Sequence, residues 1–260
     1  MGDAQVVLFP EERRQKILAL LEQRTSMTVG ELAAGLLVSE ATVRRDLDDL
    51  QRAGLVRRTH GGAMLAVATR FEPSFREKED KYIRDKEAIG ARAATLVRDG
   101  ETIILDAGTT TLQVARNLRD CREVVVITNA TNFHQELANN PGIEVILVGG
   151  TARANTFATV GPIAQQVLAG FHADKVFLAG NGLTIQHGLT TPNLLEAYTK
   201  RAMVDAAREI IVVLDHSKFN KVTATTVIPV GRIDKLVTDQ KAPPEMLKEL
   251  SRAGVEVVVA

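Results

Sequence analysis

From Thr102 onward the chain carries seven short, nearly unbroken apolar runs: TIILDA, EVVVIT, EVILVGG, DKVFLAG, EIIVVLD, KLVTD and EVVVA. Helical patterns beginning near Thr110, Ala130, Pro162, Asn193 and Pro244 fall between them. Strands that are apolar on both faces must be covered on both, so this alternation predicts a mainly parallel sheet between two helical layers. The stretch VTATTVIPV is more amphipathic and is expected at an edge.

The first 65 residues follow a different rule. Apolar residues recur there at helical spacing and are followed by one short alternating pair of runs, so a domain boundary is expected. The expected division is a small helical domain over 1–65, a linker over 66–80 containing Pro73 and dense mixed charge, and an α/β domain over 81–260. Lys plus Arg equals Asp plus Glu at 32 each, so any polyanion must be drawn by a local basic patch rather than by net charge. The single cysteine, Cys121, excludes an internal disulfide framework and fits an inert thiol in a reducing compartment. The N-terminus lacks a signal-peptide pattern, and no apolar run approaches the roughly 20 residues of a membrane span. A cytoplasmic protein without a membrane partner is expected.

In the first domain, RRQKILALLEQ places Ile17, Leu18, Leu20 and Leu21 on one helical face. Thr28 and Glu31 have the spacing of a capping box ahead of Leu32, Ala33 and Leu36. Ser39 is the expected N-cap of a third helix with Val43, Leu47 and Leu50 inward and Gly54 as its stop. LVRRTHGGAML then reads as a small hairpin or wing. With its stripe turned inward, the third helix presents Thr42, Arg44 and Arg45 near its N-terminal end, where a helix in the major groove meets base edges. Arg57, Arg58 and His60 in the wing add cations for phosphates. The competing reading of RRDLDDLQR is a solvated face laced with ion pairs four residues apart.

The spacing of these helices, the S-x-A-T-V-R-R-D-L stretch and the R-T-H-G-G-A wing resemble the DNA-binding domain of the DeoR family of bacterial transcription regulators. The resemblance implies a winged helix-turn-helix, with Ser39, Thr42, Arg44, Arg45, Arg57, Arg58 and His60 at a DNA operator.

In the second domain, LDAGTTT ends a strand in Asp106 and starts a helix through Gly108, Thr109, Thr110 and Thr111. Backbone N–H groups, hydroxyls and a positive helix end clustered this way are the parts of an anion site, whereas a plain capped turn needs only one threonine. Other strand ends bring Asn129, Gly150 and Lys218, which converge if the strands are parallel, because ligands bind beyond the carboxyl ends of such sheets. Lys218 would meet a phosphate, and Asn129 or Asp106 sugar hydroxyls. Glu196 and Lys200, four apart on one helical pattern, read first as an ordinary helix ion pair and otherwise as pocket or subunit-contact residues.

This half resembles the effector domain of DeoR-family regulators and, more distantly, the ribose-5-phosphate isomerase fold. The isomerases' acidic run after the DKVFL-like strand is replaced by AGNGL, and their lysine loop by IQHGLTTPN. The resemblance therefore implies binding without catalysis, so no catalytic residue, cofactor or metal is expected, and no histidine pair has metal-ligand spacing. The resulting expectation is a homodimeric or homotetrameric transcription regulator, a repressor, that binds double-stranded DNA and a phosphorylated sugar or related effector. The alternatives are a sugar-phosphate isomerase carrying a helical accessory domain, and a protein-binding winged helix on a structural α/β domain.

Overall fold

The structure is a computed structural model that describes residues 10–24, 26–52, 56–59, 61–65, 73–138 and 140–260. The expected helix stop at Gly54 and the wing residue His60 lie outside the described residues. The chain divides into two compact units, Met1–Phe71 and Glu72–Ala260.

The first unit contains α1 (Pro10–Gln23), β1 (Met27–Thr28), α2 (Val29–Leu36), α3 (Glu40–Arg52), β2 (Val56–Thr59) and β3 (Gly62–Leu65). Its core is the stripe read from the sequence: Ile17, Leu21, Leu32, Val43 and Leu47 are fully or almost fully buried. Thr28 and Glu31 form the capping box that starts α2. A left-handed Leu37 (φ 55°) ends α2 and turns the chain into α3, a position with no glycine to announce it.

The wing is a three-stranded sheet, because the two-residue β1 pairs with β3 antiparallel. Gly62 permits this: a Cβ there would lie 2.1 Å from Met27 O. A bidentate pair from Arg13 to the buried Asp46, at 2.5 and 3.0 Å, ties α1 to the core side of α3.

The second unit begins with α4 (Phe75–Glu79) and α5 (Ile83–Ala94). It continues through β4 (Thr102–Leu105), α6 (Thr109–Arg116), β5 (Val124–Thr128), α7 (Phe133–Leu137) and β6 (Ile143–Leu147). A hairpin of β7 (Thr151–Arg153) and β8 (Ala158–Val160) leads to α8 (Pro162–Leu168) and β9 (Ala173–Leu178). Next come β10 (Gly182–Thr184), β11 (Gly188–Thr191), α9 (Leu194–Asp205), β12 (Ala207–Leu214) and β13 (Thr225–Ile228). The unit closes with β14 (Lys235–Thr238), α10 (Pro244–Arg252) and β15 (Glu256–Val259).

The seven apolar runs form one sheet in the order β15-β14-β12-β9-β4-β5-β6, and its neighbouring strands pair parallel. Alternate strand residues feed two cores. Ile104, Ile127, Val176 and Val212 pack on one face, and Ile103, Val126, Phe177 and Ile211 on the other. The amphipathic VTATTVIPV run contributes β13 to a separate antiparallel sheet, β10-β11-β13, rather than an edge of the main one. Residues 75–79, within the stretch expected to be a linker, form the capped helix α4 with Phe75 buried.

Chain order runs outward from β4 through β5 to β6 on one side, and from β9 through β12 and β14 to β15 on the other. The loops after β4 and β9 therefore leave in opposite directions and open a crevice between two adjacent strand ends.

Because Asp46 is buried and bonded twice by Arg13 of α1, Asp46→Ala should break this tie between the helices and cost about 3 kcal/mol. Asp49→Ala removes only surface pairs with Arg14 and Arg52 and should cost under about 1 kcal/mol. Urea unfolding of the full chain followed by helical circular dichroism checks the ranking.

Candidate functional site

On the first unit, α3 leaves Glu40, Ala41, Arg44 and Arg45 exposed, with Thr42 half-buried. Ser39 and Thr42 bond each other: the hydroxyls lie 2.8 Å apart, and the Thr42 N–H donates to Ser39 Oγ at 3.2 Å, which caps α3. Arg44 is paired with Glu40 at 2.6 Å, and Arg58 with Asp48 at 2.9 Å. Arg57 is exposed, its guanidinium 3.2 Å from Met64 Sδ. Arg45 has no side-chain partner among the described residues. The helix thus carries ion pairs through Arg44 and Arg52, and Arg45 stands outside them among the described residues.

On the second unit, the crevice beyond β4 and β9 holds an open cleft. Ala107, Gly108, Thr109 and Thr110 form one wall, Ala179, Gly180 and Asn181 another, and Lys78, Thr156, Glu196, Lys200 and Lys218 complete it with Phe75. No side chain caps α6. Instead Thr111 donates its hydroxyl back to Gly108 O at 3.1 Å, so the first N–H groups of α6 remain available to an acceptor. Gly108 lies close to the opposite wall, where a Cβ would be 2.9 Å from Ala179 Cβ. The Lys218 ammonium has no hydrogen bond or ion pair among the described residues.

Four of the eight residues anticipated for an effector, Gly108, Thr109, Thr110 and Lys218, line this cleft. The other four have structural partners. Asp106 is buried, accepts the Ala179 N–H at 3.0 Å and ion-pairs with Lys200, which also donates to Ala179 O at 3.1 Å. Asn129 is buried, accepting from Ala107 N at 2.9 Å and donating to Thr159 O at 3.0 Å. Thr111 serves α6 as described. Gly150 (φ 146°) lets β8 approach, since a Cβ there would meet Val160 O at 2.7 Å. Asp106 Oδ2 and the Asn129 amide thus take part in holding the loops together.

Glu196 and Lys200 each take a partner from a distant segment. Glu196 pairs with Arg153 and accepts from Thr156 Oγ1 at 2.9 Å and Thr191 Oγ1 at 3.3 Å, while Lys200 takes Asp106. Burial opposes ionisation of Glu196, but Lys200, Arg153 and Thr156 outweigh it and hold its carboxyl below the usual range. At Asp106, burial pushes the carboxyl up against the opposing pull of Lys200. Burial also resists ionisation of Asp215, yet Lys218 and Ser217 bring its carboxyl below the ordinary value; its Oδ2 is buried without a hydrogen bond. Arg153, Thr156, Asn181 and Lys78 were not anticipated from the sequence, because the segments carrying them meet only when the sheet forms.

Among the described residues, the ligand atoms of Asp85, His216 and Asp239 lie within 4.8 Å of one another. The Lys241 ammonium is already 2.8 Å from both Asp85 oxygens, the backbone N–H of His216 donates to Asp239 at 2.7 Å, and His216 Nδ1 lies 3.0 Å from Asp239 Oδ1.

Residues 13–69 match the model of the DeoR-like helix-turn-helix domain, and residues 81–240 that of the DeoR C terminal sensor domain. The chain belongs to the DeoR family. It is 36% identical over 253 residues to the HTH-type transcriptional regulator GolR of Listeria innocua, covering 97% of this chain and 100% of that protein. The HTH-type transcriptional regulator GlpR of Haloferax volcanii is 36% identical over 251 residues, 96% of this chain and 98% of its own. The HTH-type transcriptional repressor GlcR of Bacillus subtilis is 33% identical over 254 residues, 97% of each chain. Among solved structures, ribose 5-phosphate isomerase A of Methanocaldococcus jannaschii matches 52% of this chain and 53% of its own at 18% identity, with a TM-score of 0.38. The relatives are named as regulators and repressors, and this DeoR-family chain is a transcription regulator rather than an enzyme. No helix among the described residues is long and apolar enough to cross a membrane.

Arg45→Ala should weaken binding to duplex DNA and reduce the slope of log affinity against log salt by about one, because one phosphate or base cation is lost. Glu40→Gln, which releases Arg44, should move affinity the other way. Fluorescence anisotropy with a labelled duplex across a salt series reads both. An unchanged Arg45→Ala slope would remove that residue from the interface.

Beside the cleft, burial lowers the Lys86 ammonium to about 8, against an ordinary value of 10.5. The unfolded chain therefore binds more protons than the folded one between pH 8 and 10.5, so this group's contribution to stability rises with pH across that window. The difference in unfolding free energy between the native chain and Lys86→Met should shift toward the native chain over the same interval. Denaturant titrations at pH 7.5 and 10.5 measure it.

Proposed function

We propose that this regulator is a repressor whose second unit binds a phosphorylated sugar or a related anionic metabolite in the cleft between β4 and β9, and that occupancy changes its hold on DNA. One observation carries the reading: the uncapped start of α6 shares a cleft with the Lys218 ammonium, which makes no hydrogen bond or ion pair among the described residues. A phosphoryl group supplies three acceptor oxygens, suited to helix N–H groups, the Thr109 and Thr110 hydroxyls and a lysine. The Asn181 amide gives the rest of the cleft a donor suited to a sugar hydroxyl.

Ser39, Thr42, Arg44, Arg45, Arg57, Arg58 and His60 serve the operator in this reading. Arg45 is the cation most available, whereas Arg44 and Arg58 must first leave Glu40 and Asp48. A helix-turn-helix reads a repeated operator as a symmetric pair, so a homodimer or homotetramer acting in the cytoplasm is part of the proposal. The effector acts by binding the DNA-competent and DNA-incompetent forms with different affinity. An isomerase role gains no support: the acid of the cleft wall, Glu196, is held by an arginine and two threonines, and Asp106 by a lysine.

A panel of sugar phosphates tested by thermal scanning of the full chain should raise the melting temperature for at least one member. At a hundredfold excess over Kd the gain is about 2.7 kcal/mol. Thr110→Ala and Lys218→Ala should each reduce that shift. A response equal in the native chain and both variants would move the effector elsewhere.

A further inference from the structure

The interval between the two matched family domains, residues 70–80, contains α4, which neither family model covers. This short helix is built into the cleft. Phe75 and Lys78 both line it. Phe75 is buried in the core shared with Leu112 of α6, stands edge-on to Phe157 at 5.3 Å, and donates its backbone N–H to Asn155 O at 2.8 Å. Thr156, between those two neighbours, lines the cleft and donates to Glu196. Its N-terminus is fixed by a capping box of Ser74 and Glu77, and its far end by the buried Lys86, whose ammonium donates to Lys78 O. The chain entering α4 at Ser74 comes through residues 66–73 from the DNA-binding unit.

Resting on the anion-site reading above, we propose that α4 reports the cleft's occupancy to the DNA-binding unit: Lys78 holds the effector's anionic group, and occupancy fixes α4 against the Asn155–Phe157 turn. The Lys78 ammonium reaches the anion only while α4 is docked, so an effector binds the docked arrangement more tightly and shifts the population toward it by that same factor. Linkage makes the effect reciprocal. Any state of the DNA-binding unit that pulls the chain at Ser74 away from the turn weakens effector binding to the same extent. A charge-assisted contact of this kind corresponds to about a tenfold change in affinity. Transmission then needs no large rearrangement of the sheet, only a change in how firmly the first helix of the sensor unit is held.

The test is amide hydrogen exchange on the full chain with and without saturating inorganic phosphate, which carries the anionic group alone. The expected result is slower exchange at residues 74–79 together with 108–112. In Lys78→Ala, phosphate affinity should fall about tenfold, and at saturation the slowing should persist at 108–112 and be lost at 74–79. Slowing at 108–112 alone in the native chain would keep the anion site and overturn the role of α4. Slowing at neither segment would overturn the anion-site reading and this proposal with it. The native-chain comparison decides the matter even if the variant does not fold.

Discussion

The buried pair between Asp106 and Lys200 is the constraint on which the sensor unit's cleft depends. A carboxylate and an ammonium removed from water cost several kcal/mol each unless their remaining hydrogen-bonding capacity is met. Here part of that capacity is met: Asp106 Oδ2 takes the Ala179 N–H as well as Lys200, and Lys200 also donates to Ala179 O. The pair ties the loop after β4, the loop after β9 and helix α9 at the point where the sheet's chain order reverses. Asn129 adds the loop after β5 by accepting from Ala107 and donating to Thr159. With three loops tied this way, the start of α6 is held open beside Lys218 instead of collapsing onto a capping side chain.

The DNA-binding unit solves a different electrostatic problem. The whole chain has no net charge, so attraction to a polyanion depends on which cations are left uncompensated. The acids interleaved with the arginines of α3 are distributed by depth. Asp46 is buried and employed by Arg13 in joining two helices, whereas Glu40 and Asp48 hold Arg44 and Arg58 on the surface. Surface pairs of this kind are worth little and exchange readily for phosphate. A neutral chain can therefore present a cationic face to DNA while keeping its structural ion pair out of reach.

Much of this was legible in the sequence because the signals were periodic and local. Seven apolar runs became seven parallel strands, and the Thr28–Glu31 box and the Val43–Leu47–Leu50 stripe needed only spacing to be read. The amphipathic VTATTVIPV run differs in kind from the seven, but its partner strands, β10 and β11, are too short to carry a pattern of their own, so the separate sheet they form with β13 is not legible in the sequence. The helix α4 was hidden in charge density, since one buried phenylalanine in a five-residue helix leaves no periodicity to detect.

By itself the sequence determined the two-part plan, the sheet with its helical layers, the amphipathic third helix and the glycine-threonine loop at a strand end, since each follows from residues within about a dozen positions of one another. The tertiary structure alone decided what each polar group does. Asp106 and Lys200 stand 94 positions apart, and Arg153 and Glu196 stand 43 apart. A polar side chain's role is set by whichever partner the packed sheet brings to it, and one-dimensional spacing carries no record of that meeting.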